Sequence, residues 1–231
     1  GGVKAYNDSK GTNVDATLTA IKALPGPLML LLGGEDKGTS YEPLRAAMAG
    51  KLRGLVFLGD AIPQLERDLG DLPFPVLTGD EVKEALGEVT FATTTDGNHG
   101  RGVAWTARML RQRAVVFMPQ GSAPFRLEAI RAEGARAEIL SLNYDDAVRY
   151  TDRMAREHGW VVVQDTAWEG YRDIPLWIMQ GYGTMVVEAL AQLEERREGM
   201  PTHVFIQAGV GSLAGMVQGA LRARFGAAAP R

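Results

Sequence analysis

Cysteine is absent from this 231-residue chain. Its absence excludes disulfides, thiolate metal sites and cysteine nucleophiles, and it fits a reducing compartment, so the cytoplasm is the expected location. Histidine is scarce. His99, His158 and His203 are scattered without metal-ligand spacing, and no metal site is expected. A strong charge of one sign is also lacking: the net charge of −3 gives no electrostatic reason to expect nucleic acid or an anionic membrane as partner. No apolar run approaches the roughly 20 residues that a membrane span needs, and no signal pattern opens the chain.

Lysine is missing from most of the chain. All six lysines (Lys4, Lys10, Lys22, Lys37, Lys51, Lys83) fall within the first 83 residues, beside three arginines. The remaining 148 residues hold 16 arginines and no lysine. A single ancestry does not usually sort basic residues in this way, although chance combined with codon bias gives the same pattern.

What is present is a strand–helix rhythm. Val3–Tyr6, Leu28–Leu32, Gly54–Leu58 and Pro75–Leu77 read as strands. Helices are expected from Asn13 or Asp15 to Leu24, over Tyr41–Leu52, over Ile62–Leu69 and over Glu81–Leu86. Beyond residue 80 the strands are Val89–Thr93, Ala114–Met118, Ala137–Leu140, Trp160–Val163 and Thr202–Gln207. The helices between and after them are Gly100–Leu110, Pro124–Glu133, Tyr144–His158, Pro175–Glu198 and Ser212–Phe225. Such alternation predicts an α/β fold of mostly parallel, Rossmann-like sheet with helices on its faces. The shared rhythm on both sides of residue 80 allows one sheet to continue across that point. Asp71–Asp80, with Pro73, Pro75 and Gly79, reads as a linker or splice, which divides the chain into 1–78 and 79–231. The Ala-rich tail after Phe225 is expected to fray.

Several polar strings stand where strands end, the place where open α/β sheets bind ligands. Asn7–Asn13 follows the first strand. Read from its residues alone it turns the chain and caps a helix. Thr94–Gly100 is a strand-to-helix turn, in which Asp96 or Thr95, read alone, is first an N-cap. Asp165 reads as a turn former or a functional carboxylate. Gly209-Val210-Gly211-Ser212, between a strand and a helix, is a glycine loop whose backbone N–H groups suit a phosphate. Trp105, Trp168 and Trp177 read as packing residues.

Two strings in the first segment go further. Val3-Lys4-Ala5-Tyr6-Asn7-Asp8-Ser9-Lys10-Gly11-Thr12-Asn13 and Leu30-Leu31-Leu32-Gly33-Gly34-Glu35-Asp36-Lys37 resemble the C-terminal domain of the Mur ligases, in the UDP-N-acetylmuramoyl-alanine–D-glutamate ligase branch. The resemblance covers roughly residues 2–75. It implies that Lys10, Thr12 and Lys37 hold an amino-acid substrate and that Asp8 lies near a nucleotide. It also implies ATP and magnesium, but no Gly-x-x-x-x-Gly-Lys-Ser/Thr string is present to bind the nucleotide. Gly11 stands where the family usually has alanine, which loosens the loop.

From about residue 82 to 224 the chain resembles the diaminopropionate ammonia-lyases. Four ordered blocks carry this: Thr90–Trp105, Asn143–Arg149, Val163–Tyr171 and Gln207–Ser212. The resemblance implies pyridoxal phosphate, with Asn98 on the cofactor ring and Gly209, Val210, Gly211 and Ser212 around its phosphate. It implies Asp96 and Asp165 as bases toward the two stereoisomers of the substrate. It also implies a Schiff-base lysine upstream of Asp96, where this chain carries ligase-like sequence instead, and a further C-terminal portion expected to be missing. The two resemblances together predict a composite of two α/β enzyme fragments without catalysis. The alternatives are a pyridoxal-phosphate ammonia-lyase, an ATP-dependent ligase, and a module binding a phosphate or other small-molecule ligand. The long helix after Pro175 is expected to leave apolar surface open and to promote self-association.

Overall fold

The computed structural model describes residues 14–23, 26–34, 38–199 and 201–230. The chain divides into two compact units: one runs from Ile21 to Gln164, and the other joins Asp165–Arg231 to the segment ending at Ala20.

The first of these units holds every strand among the described residues. Helix α1 (Val14–Ala23) leads into β1 (Leu28–Gly34), which pairs in parallel with β2 (Leu52–Gly59). A 3-10 turn (Glu42–Leu44) and a single-turn helix α2 (Arg45–Met48) connect them. Strand β3 (Val76–Thr78) pairs with β2 after helix α3 (Ile62–Leu69), giving the order β1-β2-β3. In β2, Leu55, Val56, Phe57 and Leu58 are all buried, as expected of a parallel strand covered on both sides. Asp68, on α3, accepts from Tyr41 N, Ser40 Oγ and Gln64 Nε2 and so ties the loop before α2 to α3. The Gln64 and Tyr41 donors hold its carboxyl below the ordinary range.

Helix α4 (Gly79–Leu86) follows directly. A second parallel sheet then forms from β4 (Thr90–Thr94), β5 (Arg113–Met118), β6 (Arg136–Ile139) and β7 (Val161–Val162), in the order β6-β5-β4-β7. The crossovers are α5 (Asn98–Met109), α6 (Pro124–Ala132) and α7 (Tyr144–His158). Alternation along β5 shows how the sheet is covered. Ala114, Val116 and Met118 pack with Ala104, Ala107 and Ile130 of α5 and α6. From the other face, Phe117 meets Tyr150 of α7 edge-on at 5.0 Å.

The parallel α/β class is therefore the one expected, but the sheet does not continue across residue 80: two separate sheets stand on either side. The stretch 71–80 is also more ordered than a linker. It contains β3, and Thr78 caps α4 through a capping box with Glu81. The helix expected over Tyr41–Leu52 reduces to the 3-10 turn and α2, because the chain turns at Gly50 (φ 71°) and β2 begins at Leu52.

In the second unit, α8 (Asp173–Glu195) and α9 (Ser212–Phe225) are the long helices. Val186 and Leu190 of α8 pack on Val217 and Leu221 of α9, with Val204 and Phe225 beside them. The strand expected over Thr202–Gln207 is not formed. A strand needs a partner for its N–H and C=O groups, and no strand among the described residues pairs with this segment. Phe205 is 94% exposed. Among the described residues, no helix is long and apolar enough to cross a membrane.

Candidate functional site

The ligase-like candidates Asp8, Lys10, Thr12 and Lys37 lie outside the described residues. The lyase-like candidates are divided between the two units: Asp96 and Asn98 stand in the unit 21–164, Asp165 and Gly209–Ser212 in the other.

The turn that carries Asp96 and Asn98 is built by its threonines. Thr94 ends β4, fully buried. Thr95 Oγ1 accepts from Gly97 N at 2.9 Å and Gly100 N at 3.2 Å, while Thr95 N donates to Phe117 O. Gly97 is the N-cap residue of α5, and the Thr95 oxygen, two residues earlier, braces it and the first turn of the helix. Gly100 is required by close approach, since a Cβ there would sit 2.2 Å from Thr95 Cγ2. Asp96 is released from the capping role. Its carboxylate faces outward, and Arg126 Nη1 donates to both Asp96 O (3.0 Å) and Asp96 Oδ2 (3.3 Å). Asn98 is the exposed first residue of α5. His99 Nε2 bonds Val163 O at 2.8 Å; since a carbonyl only accepts, that nitrogen carries a proton.

Behind the turn lies a buried polar cluster that the sequence does not announce. Gln164, with no exposed surface, receives Thr94 N and Thr93 Oγ1 on Oε1 and donates from Nε2 to Thr94 O and Tyr144 OH. Thr94 Oγ1 and Thr151 Oγ1 lie 2.6 Å apart, and both are within reach of Ala147 O. Two hydroxyl hydrogens serve these three contacts, so one hydroxyl donates to the carbonyl and the other to its neighbour. The only sequence signals for this cluster are the run Thr93-Thr94-Thr95 and a glutamine closing an apolar strand.

In the second unit, Ser212 Oγ donates to Asp165 O at 2.6 Å, which fastens the residue after Gln164 to the start of α9. Gly211 precedes α9 in a left-handed conformation (φ 92°), and Gly209, Val210 and Gly211 are exposed. Trp168 and Tyr171 stack at 4.1 Å and exchange backbone hydrogen bonds around Gly170. This pairing agrees with the packing role expected of Trp168.

A family model describing pyridoxal-phosphate dependent enzymes matches residues 71–230. The chain belongs to that family. Diaminopropionate ammonia-lyase of Salmonella typhimurium is 55% identical over 156 residues, covering 68% of this chain and 39% of that protein. The Escherichia coli enzyme in its apo crystal structure superposes with a TM-score of 0.60 at 56% identity, over 64% of this chain and 40% of that one. The same enzyme in complex with D-serine covers 96% of this chain and 60% of that one, with a TM-score of 0.62 and 39% identity. The chain thus spans about two fifths of the length of the curated lyases it matches. A UDP-N-acetylmuramoylalanine–D-glutamate ligase from Acidobacterium capsulatum is 49% identical over 65 residues, 28% of this chain and 14% of the ligase. The ATP and magnesium expectation rests on that ligase likeness alone. Among the described residues, no group of three or more His, Asp or Glu is placed to hold a metal.

Pyridoxal phosphate requires a lysine for its Schiff base and donors for its phosphate. The lysines among the described residues are Lys22, Lys51 and Lys83, none of them on the β4–α5 turn or on any element after α4. The Lys51 ammonium donates to Ile21 O and Lys22 O at the end of α1. The Ser212 hydroxyl hydrogen is directed to Asp165 O and not to the open side of the glycine loop. The described residues therefore do not complete the cofactor's site.

Proposed function

We propose that the part of this chain from residue 79 onward is the proton-transfer portion of a diaminopropionate ammonia-lyase, carried on a composite whose residues 1–78 descend from a Mur-type ligase domain. On this reading Asp96 and Asp165 are the bases that remove the α-proton from the two stereoisomers of 2,3-diaminopropionate, in a reaction that yields pyruvate and ammonia. Asn98 and the loop Gly209–Ser212 are the cofactor-facing residues. The observation that carries the reading is the 55% identity to the lyases over 156 residues, together with a β4–α5 turn that Thr95 braces and that presents an exposed Asp96 carboxylate, paired from outside with Arg126.

Removal of that proton needs the cofactor as electron sink. With ligase-like sequence standing upstream of Asp96, where the lyase resemblance places the Schiff-base lysine, the chain by itself is expected to turn nothing over. The composite reading is supported by the lysine distribution, by the ligase likeness of 49% over 65 residues, and by the change of sheet at Thr78–Gly79. A small phosphate-bearing ligand is the proposed partner, together with a second copy of the chain, and the cytoplasm is the proposed location.

The test is a pyridoxal phosphate titration followed by absorbance spectra, borohydride trapping and peptide mapping, beside a pyruvate assay with D- and L-2,3-diaminopropionate. The expected result is no visible band trapped on a single lysine and no pyruvate. A band trapped on one lysine, with turnover lost in Asp96→Asn or Asp165→Asn, overturns the noncatalytic reading and establishes a complete lyase site.

A further inference from the structure

The turn that presents Asp96 is clamped twice by one dipeptide. Strands β4 and β7 pair in parallel through Phe91↔Val161 and Ala92↔Val162, and one further rung forms from Val163 N to Ala92 O at 2.8 Å. There the main-chain ladder stops and side chains take over. The Gln164 amide meets both main-chain groups of Thr94, receiving its N–H at 2.8 Å and donating to its carbonyl at 3.0 Å. A primary amide has the donor–acceptor pair of a peptide group, so it imitates the next rung of the sheet. On the other side of the turn, His99 Nε2 donates to Val163 O. Thr94 and His99 bracket Thr95, Asp96, Gly97 and Asn98 in the sequence, so two neighbouring residues hold both ends of the segment carrying the candidate base.

We infer that Gln164 is a positioning residue for Asp96. Its buried amide fixes the last residue of β4 and thereby the conformation of the Thr95–Gly100 turn. An apolar replacement leaves the buried Thr94 N without its acceptor and removes the Gln164 donor from Thr94 O and Tyr144 OH, and the turn is released to find water. The consequence for proton transfer rests on the lyase reading above; the mechanical link does not, and it is measurable in the chain as it stands.

The experiment is residue-resolved amide hydrogen exchange on the full chain, comparing Gln164 with Gln164→Leu and Gln164→Glu. In Gln164→Leu, protection at Gly97 and Gly100 is expected to fall by about tenfold, while amides in the β1–β2 ladder keep theirs. Gln164→Glu supplies the internal rescue. Its second oxygen faces the Thr94 carbonyl and serves only when protonated, so burial raises its pKa, and the folded state binds the extra proton. Protection of the turn, relative to the β1–β2 amides, is then expected to be poor at about pH 8 and to return toward about pH 5. Unchanged protection at Gly97 and Gly100 in both variants overturns the inference. So does an equal loss throughout the unit with no recovery at the lower pH, because it marks a residue that merely stabilises the fold. Absence of lyase turnover bears on the proposed function and leaves this result untouched.

Discussion

The turn between β4 and α5 shows why three adjacent threonines are not interchangeable. Thr93 and Thr94 face the buried amide of Gln164, whereas Thr95 folds back over the next turn of chain and accepts from Gly97 N and Gly100 N. Replacing Thr95 by valine keeps the shape and deletes the acceptor, leaving two N–H groups of the turn unpaired. Thr95→Val is expected to cost about 1–3 kcal/mol in urea unfolding, measured as a lowered midpoint at unchanged slope. An equal-volume change with no effect on the midpoint would show that water replaces the hydroxyl. Arg126 acts on the same turn from outside, and its guanidinium lies close over Gly97, where a Cβ would approach Arg126 Cδ to 3.0 Å. Glycine at 97 thus permits the arginine that holds the Asp96 carboxylate.

At the scale of elements, α4 is the informative piece, because it begins where the first sheet ends. Its start is defined by a reciprocal cap: Glu81 N donates to Thr78 Oγ1, and Thr78 N donates to Glu81 Oε2 at 2.6 Å. Its Gly79 lies against the end of α5, where a Cβ would meet Met109 O at 2.2 Å, and Asp80 pairs with Arg111 at 3.0 Å. Thr78→Ala is expected to cost about 1 kcal/mol, read by denaturant unfolding. The cap is also pH-dependent. The Thr78 N–H and hydroxyl hold the Glu81 carboxyl below its usual 4.5. The unfolded state therefore takes up the proton first, and this contribution is present above the unfolded pKa and lost as pH falls through the lowered folded one. The acid sensitivity of wild type in that window is expected to shrink in Glu81→Gln; an identical pH profile in the variant would show that the cap does not persist in solution. The segment 202–207 teaches the opposite lesson. Its sequence is a strand in every local respect, yet no strand among the described residues pairs with it, because a strand is completed by a neighbour and not by its own propensity.

At the scale of the whole molecule, the exposed apolar side chains are the ground for an expectation about solution behaviour. Phe205 (94%), Phe125 (71%) and Met29 (60%) stand open, and β1 is one edge of its sheet among the described residues. Self-association is expected, seen as a light-scattering mass that rises with concentration, and Phe205→Asp is expected to reduce it. A monodisperse monomer at all concentrations would contradict that. The sequence alone determined the parallel α/β class, since short continuous apolar runs such as Leu55–Leu58 alternate with helical segments, and the ordered blocks from Thr90 to Ser212 placed the chain among the pyridoxal-phosphate enzymes. It also located the β4–α5 turn, because polar residues and glycines gather where a buried strand must end. What only the tertiary structure decided depends on partners far apart in the chain. Two sheets form in place of one, because β3 pairs with β2 and β4 pairs with β5 and β7. Gln164 reaches back 70 residues to Thr94, and nothing local in either segment encodes that meeting. Periodicity records which face of an element is apolar; which partner receives that face, and which buried polar group answers another, is fixed only when the chain has folded.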